Sequence, residues 1–505
     1  MSNLHLIVAP PPTPNGDLHV GHLSGPYLAA DIYRRYLIQN GNKAIYTVST
    51  DDHQSYVDTT ARRLGTESAA LIQQARRDIQ ESLNAYNIGV DFFGQPNPDY
   101  NDYVTRFFTT LASKGHIAVA EVPVLFDRQT QSYPVEAFVS GRCPHCLEGT
   151  CGGICEGCGH PNSCTDLVGL DWQRYELRKE QRLVLDLEKF HARLEKYLSS
   201  LGTHRPALQR LINSILSRQL APLVVSYKTP RGIATDQWGI SGQHLNVWAE
   251  MYPGHMYWLT SIAGSEVADA RYIQFLGFDN SYFYVVVHAA LAMAAQDSGF
   301  SWPLPSAFIT NQFYFLNTAK FSSSKGHAVW ARDLAAEYNP DLTRLFLALH
   351  GPEYQEATFN ESVFRMAVPE LAARINRLAS AYNKRRTAGA RTQAALPVEL
   401  TAMMTQNISL NEYSNGELAR RALHCLEYLE CLLSSNGEAP MALIPSAVAL
   451  CLGPLCPVYT DELISRFNIA DNSWANPAQC NTNSTLPEMQ ERYVHAHAHA
   501  HAHAL

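Results

Sequence analysis

Charge is scarce in this chain and leans acidic. Asp, Glu, Lys and Arg make up 17% of its 505 residues, and the formal net charge is -8. A chain without a basic excess has no bulk footprint for nucleic acid. Arg205 to Arg218 and Arg374 to Arg386 are its modest basic stretches, and solvated helix faces account for either. No apolar run reaches membrane-spanning length and no signal-peptide pattern opens the sequence, so a cytoplasmic protein with no membrane partner is expected. There is no internal repeat. Of eleven cysteines, six fall between 143 and 164, which argues for metal rather than disulfides in such a compartment. The alternating His/Ala end, His495 to Ala504, reads as a purification tag and carries no functional weight.

Against that plain background two segments stand out. An apolar strand, Leu4 to Ala9, runs into Pro10-Pro11-Pro12-Thr13-Pro14-Asn15-Gly16-Asp17-Leu18-His19-Val20-Gly21-His22. Residues three apart share a helix face, so His19 and His22 point the same way from a helix start. Unpaired N–H groups and the macrodipole draw anions there. The arrangement suits a triphosphate and charge growing on its α-phosphate. The second segment is Lys320-Phe321-Ser322-Ser323-Ser324-Lys325-Gly326, which offers cations and hydroxyl donors to a leaving pyrophosphate.

The cysteine window contains Cys143-Pro-His-Cys146 and Cys155-Glu-Gly-Cys158, eight residues apart. Two such knuckles place four thiolates around a structural Zn2+. Four thiolates leave no open position, which argues against a catalytic zinc. Cys151 and Cys164 are left over, either as spare thiols or with Cys151 as a competing ligand.

Strand–helix alternation covers residues 4 to about 118 and returns from about 231 to 335, with a ligand crevice expected at strand C-termini. Strands are predicted at Ala44 to Ser49, Met256 to Ile262, Tyr272 to Gly277 and Ala307 to Phe315. Helices are predicted at Thr66 to Asn87, Asp99 to Lys114, Trp172 to Leu220 and Tyr282 to Gln296. The chain reads as helical after Ala331, with a polar tail after Asp471.

These segments resemble the HIGH and KMSKS signatures of class I aminoacyl-tRNA synthetases. With the split sheet and the double knuckle, residues 4 to 390 resemble methionyl-tRNA synthetase. The resemblance implies an α/β fold: a Rossmann-like parallel sheet split by a zinc-knuckle insertion, then a C-terminal helical bundle. The expected divisions are 1–118 and 231–335 for the two halves of the catalytic domain and 119–230 for the insertion. A stem-contact region (336–370), a reduced bundle (371–470) and a tail (471–505) follow.

The resemblance also implies roles. His19, His22, Lys320 and Lys325 would be catalytic. Asn15, Gly21, Gly277, Asp279, Ser322, Ser323 and Ser324 would bind ATP with Mg2+. Asp51 would hold the substrate amino group, beside Thr13, Trp258, Asn280, Tyr284 and His288. Cys143, Cys146, Cys155 and Cys158 would hold Zn2+.

Departures from the family pattern bear on specificity. Ser323 stands where the family has its second loop lysine, and Lys325 lies two residues on. Thr13, Asn280, Tyr284 and His288 replace a tyrosine, an aliphatic residue, a histidine and a tryptophan. A thioether needs an apolar, polarizable slot. Hydroxyl, amide and imidazole groups left unpaired by it cost roughly 1–3 kcal/mol each. A different amino acid, small or polar, is therefore expected. The late helical region lacks a Pro-Trp dipeptide, and stacking platforms are what unpaired bases need. The expected activity is thus ATP-dependent formation of an aminoacyl-adenylate, with transfer to a small non-tRNA nucleophile. A genuine, divergent methionine–tRNA ligase is the alternative. Oligomeric state is left open.

Overall fold

The computed structural model describes residues 4–316, 319–320, 328–387, 395–405, 410–435, 439–470 and 477–492. At its centre is a five-stranded sheet, ordered Pro305–Asn311, Arg271–Gly277, Leu4–Val8, Lys43–Ser49, Phe92–Gly94. Every neighbouring pair runs parallel. Both faces of the central strand are buried, so it reads as a mostly apolar run, with His5 its one polar residue, rather than an alternation. Successive residues still face opposite ways. Ile7 joins the core shared with the C-terminal helices, while Leu6 and Val8 join the core under Pro98–Ser113 and Val247–Ala263.

Chain order places Leu4–Val8 between the strand that follows it and the strand that returns after the insertion. Strand order reverses there, so a crevice opens beyond the ends of Leu4–Val8 and Arg271–Gly277.

The insertion is built on an antiparallel pair. Ile117–Asp127 and Tyr175–Leu185 pair along their whole lengths, from Ile117 opposite Leu185 to Asp127 opposite Tyr175. Between them two short hairpins carry the cysteines: Ser140–Arg142 with Gly149–Cys151, and Gly153–Ile154 with Pro161–Asn162. Beyond the second half of the sheet come the helices Pro340–His350, Glu361–Thr387, Asn415–Ser434, Ile444–Leu452 and Pro457–Phe467. Among the described residues no helix is long and apolar enough to cross a membrane.

Two predicted elements are corrected. Met256 to Ile262 is not a strand but lies in the helix Val247–Ala263. That helix is buried almost all round, so its apolar run carries no helical stripe. Trp172 to Leu220 is not one helical stretch. It divides into the strand Tyr175–Leu185 and the helices His191–Ser200 and Pro206–Leu216. Glu, Leu, Lys, Gln and Arg are good helix formers, and a full cross-strand ladder overrides that weak preference.

Candidate active site

The crevice holds a cavity of about 590 Å³. Its walls come from the Pro10–His22 segment, Asp51, the helix Ser55–Leu64, Gly277 to Asn280 and Asn311 to Tyr314. The insertion closes one side through Glu136 and Ile154.

His19 caps a short helical turn, Val20–His22, and accepts a hydrogen bond on Nδ1 from the His22 backbone N–H (3.2 Å). His22 Nδ1 accepts in return from the His19 N–H (3.4 Å). It is a capping box made from two imidazoles. The rings stack with centroids 3.6 Å apart and planes 12° apart. With Nδ1 accepting, each neutral ring carries its proton on Nε2. Burial and the neighbouring His22 push His19 well below the usual histidine value, and His22, whose side chain is open to the cavity, is lowered by the desolvating walls of the crevice. The pair can offer an anion neutral N–H donors rather than imidazolium ions.

After His22 the helix opens into a π-type turn, Leu23–Tyr27, before the helix Leu28–Gln39. Gly25 lets this turn approach the sheet. A Cβ there would lie 3.0 Å from the Asn311 side-chain nitrogen. Tyr27 donates to the Pro10 carbonyl (3.0 Å) and pins the proline run to the same turn.

Asp51 lies two residues past the strand Lys43–Ser49, 5% exposed, and its N–H donates to the Pro12 carbonyl (3.2 Å). Burial, then the nearby Glu250 carboxylate, push its carboxyl well above the usual range. A ligand ammonium would restore the charged form. Behind it, His53 Nδ1 lies 2.9 Å from Glu250 Oε1, to which Tyr100 also donates (3.0 Å). Burial opposes a proton on His53, but Glu250 prevails and raises it to about 9.

On the opposite wall, Gly277 ends its strand against Asp279. A Cβ on Gly277 would lie 2.5 Å from Asp279 Oδ1, which accepts from the Asn280 amide (3.2 Å). Thr13, Asn15, Gly21, Asp51, Gly277, Asp279 and Asn280 therefore share one cavity with His19 and His22. The late loop is described only at its margins. Lys320 pairs through its backbone with Phe315, and Val329 and Trp330 dock on Val20 and His19. The side chain of Lys320, and Ser322, Ser323, Ser324 and Lys325, lie outside the described residues.

Three predicted substrate contacts do not reach the cavity. Trp258 is 3% exposed and stacks on Tyr100 at 5.2 Å. The tryptophan on the cavity wall is Trp248, one helix but ten residues earlier, about 15 Å along the axis. Tyr284 and His288 sit a layer behind. Tyr284 meets His255 Nε2 (3.1 Å), and His288 donates from Nε2 to the Trp248 carbonyl (2.9 Å). Trp248, Met251, Arg63 and Glu136 were missed by sequence reasoning. No motif marks them, because the insertion and a buried helix bring them in. Burial raises Glu136 to about 7, partly offset by the Ser55 hydroxyl and the Trp248 side chain.

Away from the crevice, the sulfurs of Cys143, Cys146, Cys155 and Cys158 all lie within 4.8 Å of one another. That donor set fits one tetrahedral Zn2+. Cys151 stands apart, 3.7 Å from the Ser140 hydroxyl.

A parallel sheet with this reversal point, and a paired-histidine helix start beside it, define the class I synthetase type of nucleotide-binding domain. A family model described as class I tRNA synthetases (M) matches residues 5–381, and the chain belongs to that family, the methionyl-tRNA synthetases. It is 28% identical over 365 residues to a methionine–tRNA ligase of Thermomicrobium roseum, covering 69% of this chain and 62% of that one. It is 27% identical over 376 residues to one of Chlamydia caviae, covering 70% and 66%. The matches thus span less than two thirds of those relatives' length. Mycobacterium tuberculosis methionyl-tRNA synthetase, solved with methionyl-adenylate, superposes with a TM-score of 0.72 at 16% identity, over 97% of this chain and 99% of that one.

Proposed function

We propose that the protein is an ATP-dependent, amino-acid-activating ligase of the methionyl-tRNA synthetase type, which passes its aminoacyl group to tRNA. The observation that carries this is the pairing of two neutral imidazole donors with Asp51 across one cavity. The relatives' names support tRNA as acceptor over the small nucleophile expected from the sequence. Asp51 takes the substrate ammonium, and the substrate carboxylate attacks the α-phosphate in line. The α-phosphate–oxygen bond breaks and pyrophosphate leaves with the electron pair. His19 and His22 donate Nε2–H bonds to charge that grows on the phosphates. Gly277 to Asn280 form the wall for the nucleoside. Mg2+, when bound with ATP, supplies charge neutralisation at the phosphates. Lys320 and Lys325 supply the cations of the phosphate site.

One observation favours a second reading of the amino-acid choice. Beside Asp51, the slot lined by Pro11, Tyr100, Glu250, Gly254 and His255 holds only about 10 Å³. Tyr284, His255 and His288 fill the space behind it. A small or polar side chain suits that slot better than a thioether. Amino-acid-dependent ATP–pyrophosphate exchange, run across the common amino acids and followed by tRNA charging, tests both points. Methionine-only exchange with charging supports the first reading and removes the second. Exchange with a small or polar amino acid supports the second. No exchange with any amino acid overturns the activity itself.

A further inference from the structure

The insertion encloses a second cavity, of about 200 Å³, that the adenylation chemistry does not use. Arg182, on the strand Tyr175–Leu185, lines it and is 1% exposed. Its Nε and Nη1 have no hydrogen-bond partner. Asn162, 6% exposed on the facing hairpin strand, leaves both its amide nitrogen and oxygen unpaired. These are unusual orphans. A buried guanidinium is expensive unless an anion answers it, and a buried amide is expensive unless it is bonded. Among the described residues no carboxylate forms an ion pair with it: Glu136, also on the cavity wall, accepts from Ser55 on Oε2 and leaves Oε1 unpaired. Glu180, two residues along the strand, pairs with Lys228 Nζ at 2.7 Å. Asp166, on the rim, accepts from the Ser163 backbone and the Thr165 hydroxyl. The remaining wall is largely apolar, including Val124, Pro222 and Phe283.

We propose that this cavity is a binding site for a small carboxylic acid of about amino-acid size, its carboxylate on Arg182 and a second polar group on Asn162. The volume exceeds what a bare inorganic anion needs, and an amide that both donates and accepts asks for a hydroxyl or amino group on the ligand. The site adjoins the catalytic cavity. Glu136 lines both, and Phe283 in this wall stacks on Trp248 in the other, with centroids 4.1 Å apart and planes 7° apart. Occupancy is thereby placed to act on the wall of the adenylation site. The inference stands whichever amino acid or acceptor the enzyme uses.

Thermal melting and calorimetry on the full chain test it, with α-amino and α-hydroxy acids, their matching amides, and inorganic phosphate as probes. At least one acid should bind saturably and raise the melting temperature, while its amide should not. Arg182→Met should abolish that binding, and Arg182→Lys should weaken it on the order of tenfold or more, because a point charge cannot replace the planar fork. Without ligand, Arg182→Met should melt no lower than the wild type, since it removes a buried guanidinium whose Nε and Nη1 are unbonded. Asn162→Ala gives a second, milder loss of affinity. Binding retained by Arg182→Met, binding by phosphate alone, or no Arg182-dependent binding across the panel would each overturn the proposal.

Discussion

His19 and His22 spend their Nδ1 atoms on each other's backbone, and this decides what the pair can do. The cap orients the rings, the crevice disfavours their charged forms, and Nε2–H is what remains for an anion. Truncating His22 to alanine should slow adenylate formation by on the order of 10²-fold, read as ATP–pyrophosphate exchange. A near-wild-type rate would take His22 out of the chemistry. Buried histidines make stability depend on pH. His255 and His288 sit at about 3 and 4 in the folded chain, below the ordinary 6.5. The unfolded chain therefore takes up their protons first, and stability is lost as pH falls from about 6.5 towards 4. Glu136 and Asp341, raised to about 7 and 6 by burial, pull the other way over that window. A difference measurement isolates one group. His288→Leu should be less stable than wild type at pH 7, and the gap should narrow by up to about 3 kcal/mol by pH 4. Denaturant midpoints at the two pH values check it, and a gap that does not change would assign His288 an ordinary pKa.

Elements differ in how openly the sequence declares them. The first strand, the proline turn and the histidine pair are local, so each is legible from a dozen residues. The two cysteine knuckles are equally local, and the structure brings their sulfurs together. The pocket is different. Nothing in a helix buried on all sides says whether Trp258 or Trp248 lines the cavity. The tryptophan that lines the cavity, Trp248, is set by the Asn246 cap that starts the helix and by Phe283 stacking from another segment. Tyr175–Leu185 was unreadable as a strand for a related reason. Its polar residues suit a helix, and its partner Ile117–Asp127 lies about fifty residues upstream. If zinc holds the knuckle, Cys146→Ser should lose metal and lower the melting temperature, and a chelator should reproduce that in the wild type. Stoichiometric zinc retained by the variant would remove Cys146 from the ligand set.

Across the whole molecule, the first half of the sheet domain and the C-terminal helices meet at one buried guanidinium. Arg344, on Pro340–His350, is fully buried, as is Asp31 on Leu28–Gln39, and they pair at 2.7 Å. The same side chain donates from Nε to the Leu455 carbonyl, from Nη1 to the Tyr86 carbonyl and from Nη2 to the Pro454 carbonyl, each at 2.9 Å. Four otherwise separate pieces of chain are thus tied by one residue: the helix after the histidine pair, the end of the helix Ser68–Ala85, and the turn between the last two helices, all joined through Pro340–His350. Asp31 keeps some support without it, from Arg35 and the Gly89 N–H. The three carbonyls lose their common donor. Removing one partner of a buried pair costs about 3–5 kcal/mol, so Arg344→Met should destabilise by that order. Asp31→Asn should cost less, because the guanidinium retains its carbonyls. The distinction is structural as well as energetic. With the joint cut, denaturation followed by separate probes of the sheet and the C-terminal helices should split into two transitions. Coincident transitions with a loss below about 1 kcal/mol would mean that apolar packing, not Arg344, couples the two halves.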